Sequence, residues 1–161
     1  MASQKPKPIP DGYHTITPYL SIKGAGDAIA FYKKAFGAEE LVRMPMPDGT
    51  VAHAELQIGD SRIMLADENT MSDGVTKSPR ALGGTTSGLC LYVPDVDALF
   101  KRAVDAGAKT KRPVADQFYG DRTGTLEDPF GHIWTLMTHV EDVSPEEIDR
   151  RMKKMHESST V

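Results

Sequence analysis

The feature that most constrains this chain is an order of elements that occurs twice at a nearly constant offset. Ile22 and Val93 stand 71 residues apart, the helix-ending Gly37 and Gly107 stand 70 apart, and Leu65 and Leu136 stand 71 apart. Identity between the copies is low, so the repeat rests on element order and offset. In the first copy, Ile16, Leu20 and Ile22 alternate with Thr15, Thr17, Tyr19 and Ser21, which predicts a strand over Thr15–Ile22. Asp27 is expected to cap a helix carrying Ile29, Phe31, Tyr32, Ala35 and Phe36, ended by Gly37. Strands are expected over Glu40–Met46, Val51–Ile58 and Arg62–Ala66, joined at Pro47-Asp48-Gly49 and Gly59-Asp60. In the second copy, Leu89, Leu91 and Val93 mark a strand, and Asp95 caps a helix with Val96, Leu99, Phe100, Ala103 and Val104 on one face. Strands then fall near Thr110–Val114, Gly124–Glu127 and Ile133–Thr138. The pattern predicts an α+β chain of two βαβββ modules.

The flanking segments read differently. Residues Met1–Gly12 are rich in Pro and Lys and predict an extended tail. Asn69–Ser87 concentrates Gly, Ser, Thr, Lys and Pro and is expected to link the modules. Ser144-Pro145-Glu146-Glu147 is a capping box with proline at the first helical position. The helix it opens sets Ile148, Met152 and Met155 on one face, expected to pack on the body or on a second copy. The organisation expected is a tail over residues 1–12, a domain over 13–139, and a C-terminal helix and tail over 140–161. Within the domain, module one runs over 13–68, a linker over 69–87, and module two over 88–139.

Composition removes several classes of function. Across 161 residues, 19 basic side chains face 23 acidic ones, a net charge of −4, which is not the clustered basic excess of a nucleic-acid surface. Cys90 is the one cysteine, so neither an internal disulfide nor a multi-cysteine zinc site can form. No apolar run approaches the roughly 20 residues of a membrane span. The expectation is a cytoplasmic domain that binds neither nucleic acid nor membrane.

Strand alternation assigns faces. Ile16, Leu20, Ile22, Ala54, Leu56, Ile58, Ile63, Leu65, Leu89, Leu91 and Val93 are expected to face the helices. The opposite faces then carry Thr15, Thr17, Tyr19, His53, Glu55, Gln57, Arg62 and Met64 in the first copy, with Cys90, Tyr92, Thr135 and Met137 in the second. Hydroxyls, one carboxylate, one imidazole and one guanidinium with aromatic edges suit a small ligand with several hydrogen-bonding groups. His53 and Glu55, two apart on one strand, project to the same side. They read either as a general base with its orienting carboxylate, as two donors toward a non-standard metal, or as a solvated pair on an open sheet. Tyr119, Asp121 and Arg122 form a second cluster beside Gly120. There a ring could stack on a planar ligand while Arg122 binds an anion, or the segment is a turn with Asp121 capping an amide and Arg122 paired with an acid. Trp134 has core parity, His132 reads as a turn residue, and Cys90 reads as a half-buried structural thiol. His14, His139 and His156 carry no spacing signal.

The segments TPYLSIKGAGDAIAFYKKAFGAEE, LCLYVPDVDALFKRAVDAGAK and EDPFGHIWTLMTH resemble the vicinal oxygen chelate superfamily, which includes glyoxalase I, bleomycin-resistance proteins and extradiol dioxygenases. QFYGDRTGTLEDPFGHIW is similar to its PhnB-like branch. The resemblance covers about Thr15 to His139 and implies two βαβββ modules forming a curled mixed sheet around a cavity, helices on the outer face, in a homodimer. Metal-dependent members place one ligand on the first and last strand of each module, positions that here fall on Thr17, Met64, Gly88 and Thr135. None is His, Asp or Glu, so no metal and no other cofactor is expected. The function expected is binding of a small polar or aromatic molecule. Thr17, Tyr19, His53, Glu55, Arg62, Met64, Tyr92, Tyr119, Asp121, Arg122 and Thr135 are the candidate ligand-binding residues. The alternative is a glyoxalase-type lyase or isomerase using His53 and Glu55 as its catalytic pair.

Overall fold

The computed structural model describes residues 6–68 and 75–158. The tail is therefore described from residue 6, and residues 69–74 of the expected linker, with 159–161, lie outside the described residues. Residues up to Thr85 together with Pro129–Gly131 make one compact unit, and Thr86–Asp128 with the residues from His132 onward make the other.

The first unit contains β1 (Tyr19–Ile22), α1 (Ala25–Phe36), β2 (Glu39–Pro45), β3 (Val51–Ile58), β4 (Ser61–Asp67) and the short α2 (Pro79–Leu82). Its open sheet runs β1-β4-β3-β2, with β1 parallel to β4 and the other pairs antiparallel. The second unit repeats the order with β5 (Gly88–Tyr92), α3 (Val96–Asp105), β6 (Lys109–Asp116), β7 (Asp121–Glu127) and β8 (Ile133–His139), then adds α4 (Pro145–Ser158). Its sheet runs β5-β8-β7-β6, again with the first and last strands parallel. The repeat holds in register: Tyr19 pairs with Met64 and Leu20 with Leu65, while Cys90 pairs with Thr135 and Leu91 with Leu136, every partner 71 residues on.

Apolar parity explains the core of the first unit. Ile22, Ala54, Leu56 and Leu65 are buried from the sheet side, and α1 lays Ala28, Ile29, Tyr32, Ala35 and Phe36 over them. Each fully buried Leu or Ile contributes about 1.5–3 kcal/mol of transfer free energy. Tyr32 and Phe36, one turn apart, stack with centroids 5.9 Å apart. The cap expected from Asp27 is supplied elsewhere. Gly24 occupies the N-cap and has no side chain, and Asp27 lies inside the first turn. Asp67, at the end of β4, accepts the Gly24 and Ala25 N–H groups at 2.8 and 2.9 Å, and its other oxygen accepts Val51 N–H at 2.8 Å. One carboxylate thus closes the helix N-terminus and joins two strands.

Two expectations about strands change. Strand β1 starts at Tyr19 rather than Thr15, because Pro18 has no N–H to donate to a ladder; its carbonyl accepts Met64 N–H at 2.8 Å. Ile16 therefore precedes the sheet and is 84% exposed instead of facing the helix. Strand β7 starts at Asp121 rather than Gly124, since Asp121, Arg122 and Thr123 pair with His139, Thr138 and Met137. The expected linker holds α2, capped by the buried Ser78, whose hydroxyl accepts Ala81 N–H at 3.2 Å.

In the second unit Leu126, Trp134 and Leu136 form the buried sheet side, with Val96 and Ala103 from α3. Asp95 caps α3 as expected, accepting Ala98 N–H at 3.0 Å. Leu89, Leu91 and Val93 are half-buried, so this helix-side face is less completely covered than its counterpart. Trp134 is a core residue whose indole N–H donates to the buried Asp128 at 3.0 Å, and Asp128 also accepts His132 N–H at 3.0 Å, which makes His132 a turn residue. Helix α4 is tied down by Arg151, which donates to Glu141, Glu147 and the Phe118 carbonyl. Its Ile148 is half-buried, while Met152 and Met155 are exposed.

Candidate functional site

In the first unit, alternation along β3 and β4 brings His53, Glu55 and Gln57 to the same face as Arg62 and Met64. Glu55 pairs with Met64 across the ladder, and Gln57 with Arg62. Tyr19 joins them from β1, opposite Met64, its ring 5.8 Å from the His53 ring. Tyr19, His53, Glu55, Arg62 and Met64 therefore share one sheet face, as the period-two pattern implies, while Thr17 precedes β1 and lines the cleft from outside the sheet.

What alternation could not reveal is that an extended arm crosses this face. Tyr13, from the segment before β1, donates its hydroxyl to Glu55 Oε2, and its ring lies under the Arg62 guanidinium at 4.4 Å. His53 Nε2 stands 3.3 Å from Glu55 Oε1, and both side chains are 18% exposed. Arg62 Nε donates to Gln57 Oε1 at 3.3 Å, which steers the guanidinium over the ring. Between arm and sheet lies an open cleft of about 620 Å³. Pro8, Ile9 and Pro10 form its arm side, and Thr17, Glu55 and Met64 form its floor. The Tyr13 hydroxyl, with a smaller contribution from His53, holds the Glu55 carboxyl below the usual carboxylate range against the opposing effect of burial. Burial and the Glu55 carboxylate push the Tyr13 phenol up, so phenol and carboxylate remain respectively neutral and ionised at neutral pH.

The second unit places its candidates in four different settings. Asp121 is 6% exposed and accepts the Tyr92 hydroxyl at 2.8 Å, while its other oxygen lies 2.7 Å from His139 Nδ1. His139 Nε2 meets Asp142 at 2.9 Å. Those carboxylates, Asp142 first, raise the His139 pKa, and His139 in turn lowers that of Asp121. Arg122, the next residue on the strand, points to the other face and is held by Asp97 at 2.7 and 2.8 Å and by Asp116 at 2.9 Å. Tyr119 sits in the turn ahead of β7, its ring edge-on to Phe118 at 5.2 Å. Thr135 lies 3.2 Å from Thr125, hydroxyl to hydroxyl. Strand β7 thus separates Asp121 from Arg122, two residues that turn-like composition had grouped. Cys90 is exposed on β5 instead of half-buried.

Two participants escaped the sequence reading. Tyr13 precedes the first strand and leaves no periodic signal. His139 does leave one: Thr135, Met137 and His139 share parity along β8, so the alternation rule applied one step further reaches it.

The donor set can be tested against the divalent metal that the resemblance implies for some members. In the first unit Thr17 and Met64 stand at the cleft. In the second, Gly88 pairs with Ile133 and Thr135 with Cys90. These four supply neither imidazole nor carboxylate, and both oxygens of the neighbouring Glu55 are engaged by Tyr13 and His53. Among the described residues no group of three or more His, Cys, Asp or Glu is arranged to hold a metal ion. The residues present do not fit a metal held in that manner.

Comparison with known proteins agrees with this architecture. Residues 14–136 match the model of the Glyoxalase/Bleomycin resistance protein/Dioxygenase superfamily. An uncharacterized protein of Mycobacterium bovis is 45% identical over 138 residues, covering 85% of this chain and 91% of that protein. The crystal structure of TioX from Micromonospora sp. ML1 matches with a TM-score of 0.62 at 27% identity, over 79% of this chain and 99% of that one. A PhnB protein from Bacillus cereus shares the fold, with a TM-score of 0.60 at 21% identity over 78% of this chain and 99% of that one. No helix among the described residues is long and apolar enough to cross a membrane.

Proposed function

Because the chain belongs to the Glyoxalase/Bleomycin resistance protein/Dioxygenase superfamily, yet carries Thr17, Met64, Gly88 and Thr135 where metal ligands would stand, we propose that it binds a small polar or aromatic molecule without a divalent metal. The observation that carries this reading is the cleft of about 620 Å³ between the Pro8–Tyr13 arm and the Glu55–Met64 floor. That volume is in the range of small-molecule sites. Its wall offers one apolar side and a few oriented polar groups, the combination that selects a ligand by shape and hydrogen bonding. In the second unit, taken by itself, Tyr92, Tyr119, Asp121, Arg122 and Thr135 remain candidates for contact with a small molecule.

The test is calorimetric titration of the full chain with a panel of small aromatic and polar compounds, before and after chelator treatment, together with metal analysis. Binding that survives chelation and falls at least tenfold in Glu55→Ala supports the reading. A stoichiometric divalent ion whose removal abolishes binding overturns it.

A second reading draws on the 3.3 Å contact between His53 and Glu55. A carboxylate that orients an imidazole is the arrangement of a general base, and it would serve a lyase or isomerase of the glyoxalase type. Turnover of a methylglyoxal–thiol adduct that disappears in both His53→Ala and Glu55→Ala would support it; no turnover in the parent chain would end it.

We further read the protein as a cytoplasmic homodimer. The exposed Leu41, Val42, Met44 and Met46 along and beside the edge strand β2, with Met152 and Met155 on α4, offer apolar surface for a second copy. An exposed unpaired thiol at Cys90 suits a reducing compartment. Light scattering that gives the monomer mass at micromolar concentration would sink the dimer.

A further inference from the structure

The arm does more than wall the cleft, for its Tyr13 side chain satisfies the site from within. A carboxylate at the centre of a sheet face and a guanidinium beside it would ordinarily pair with each other. Here Glu55 instead receives a phenol hydroxyl, and Arg62 spreads over that phenol's ring at 4.4 Å while Gln57 fixes its Nε. The three groups define a shape: a flat ring under the guanidinium, with one hydroxyl directed at the carboxylate. The fit extends to the backbone. Gly12 adopts a left-handed φ of 83°, and a Cβ there would come within 2.5 Å of Arg62 Nη2, so glycine lets the arm bring the next residue's ring under the guanidinium.

We propose that the cleft recognises a neutral phenol, an aromatic ring bearing a hydroxyl, at the place filled by the Tyr13 side chain, so that the arm is a built-in competitor which the ligand displaces. This rests on the small-molecule reading above and names the chemical class for it. The selectivity follows from the groups that remain when Tyr13 leaves. Ionised Glu55 requires a hydrogen-bond donor and repels a carboxylate or phenolate. Arg62 requires a π face. Toluene meets only the second requirement, and 4-methylbenzoate offers a charge of the wrong sign. The apolar stretch Pro8–Pro10 then lines the remainder of the cleft for whatever substituent the phenol carries. His53, on the other oxygen of Glu55, keeps the carboxylate oriented while the phenol is exchanged.

The experiment uses 4-methylphenol, the side chain of tyrosine as a free molecule, against the full-length chain and the Tyr13→Ala variant. Heteronuclear NMR titration reads affinity and location together. The result expected is that Tyr13→Ala binds 4-methylphenol at least tenfold more tightly than the parent, with shifts centred on Glu55 and Met64. Toluene and 4-methylbenzoate should bind Tyr13→Ala at least tenfold more weakly than 4-methylphenol does, and Glu55→Gln in that background should erase the discrimination against 4-methylbenzoate. Equal affinity of parent and Tyr13→Ala for 4-methylphenol, or equal affinity of the variant for toluene, overturns the proposal. The same panel separates two kinds of failure. If a non-phenolic compound shifts these residues while 4-methylphenol does not, the ligand class is wrong and the binding site stands. If nothing in the panel perturbs them, both are overturned.

Discussion

Each unit holds a tyrosine, a carboxylate and a histidine in contact, yet the two clusters are built to opposite ends. In the first, Tyr13 comes from an arm outside the sheet and reaches Glu55, with His53 on the remaining oxygen. In the second, Tyr92 and His139 come from strands of the same sheet and meet a buried Asp121. The register does not superimpose them: Glu55 sits in mid-strand opposite Met64, whereas Asp121 begins its strand opposite His139. The lesson is that similar polar chemistry serves different purposes depending on what holds its members. A cluster whose partners are all anchored by ladders is a fastener, while one whose tyrosine is carried on an arm can exchange that partner for another molecule.

The sharpest way to break this contrast is at the glycine ahead of each cluster. Gly120 precedes Asp121 with φ of 102°, and a Cβ there would lie 2.1 Å from the backbone oxygen of Glu141. Gly120 also accepts Val140 and Glu141 N–H at 3.0 Å, so the turn cannot swing away without dismantling the end of the sheet. Gly120→Ala should therefore cost about 3 kcal/mol in urea unfolding, from backbone strain together with lost hydrogen bonds. A loss under about 1 kcal/mol would show the turn to be as pliable as the arm.

Next in size come the carboxylates themselves. Asp121→Ala removes a carboxylate that is 6% exposed and ties β5 and β8 to the start of β7, and should cost about 2 kcal/mol. Glu55→Ala removes a half-buried carboxylate whose Tyr13 partner is carried on the arm, and should cost about 1 kcal/mol or less. Equal losses would erase the distinction between fastener and exchangeable site.

The pH response separates the clusters more finely. Glu55 and Asp121 both titrate below their ordinary values of 4.5 and 3.8, so the stability each supplies is present above those values and lost as pH falls through the lowered ones. His139 titrates above its ordinary 6.5 between Asp142 and Asp121, so its contribution is full below 6.5 and disappears as pH rises through the raised value. Near neutral pH the first cluster thus holds level, while the second loses the His139 contribution as pH rises. Measured by denaturant unfolding, the stability gap between the parent and His139→Ala should narrow between about pH 6 and pH 9, while the gap for Glu55→Ala should stay level there. A level His139→Ala gap would remove the ion pair from the account.

The asymmetry also marks how far the residues could be read beforehand. Period-two alternation and the 71-residue offset carry most of the fold and the shared face of Tyr19, His53, Glu55, Arg62 and Met64, because side-chain direction along a strand is a local property. Asp27 reads as the cap on α1, but Asp67, 40 residues later, supplies it, and a tertiary partner leaves no local trace. Gly-Asp-Arg-Thr-Gly has the composition of a turn, which groups Asp121 with Arg122. In the sheet they are consecutive strand residues and face apart. Tyr13 was hidden for a different reason: a residue in a Pro-rich arm has no periodicity, and what it does depends on the sheet beneath it.

Gly12 supplies the smallest and most informative effect. Its Cβ would meet only the tip of Arg62, a flexible side chain, at 2.5 Å, and its φ of 83° is the one real obstacle to alanine. Forcing alanine into that conformation costs about 1–2 kcal/mol. The arm can avoid the cost by lifting off the sheet, losing the contacts of Tyr13 and the exposed 3.3 Å contact of His14 with the Asp60 carbonyl. Gly12→Ala should therefore change urea-unfolding stability by about 0.5 kcal/mol or less. It should nevertheless speed amide exchange at Tyr13, whose N–H donates to the Pro10 carbonyl at 3.2 Å, and raise the affinity for 4-methylphenol toward that of Tyr13→Ala. A variant that loses stability with no gain in exchange would mean that the arm is anchored as firmly as the Gly120 turn, and the difference between the two clusters would then lie only in where their tyrosines are placed.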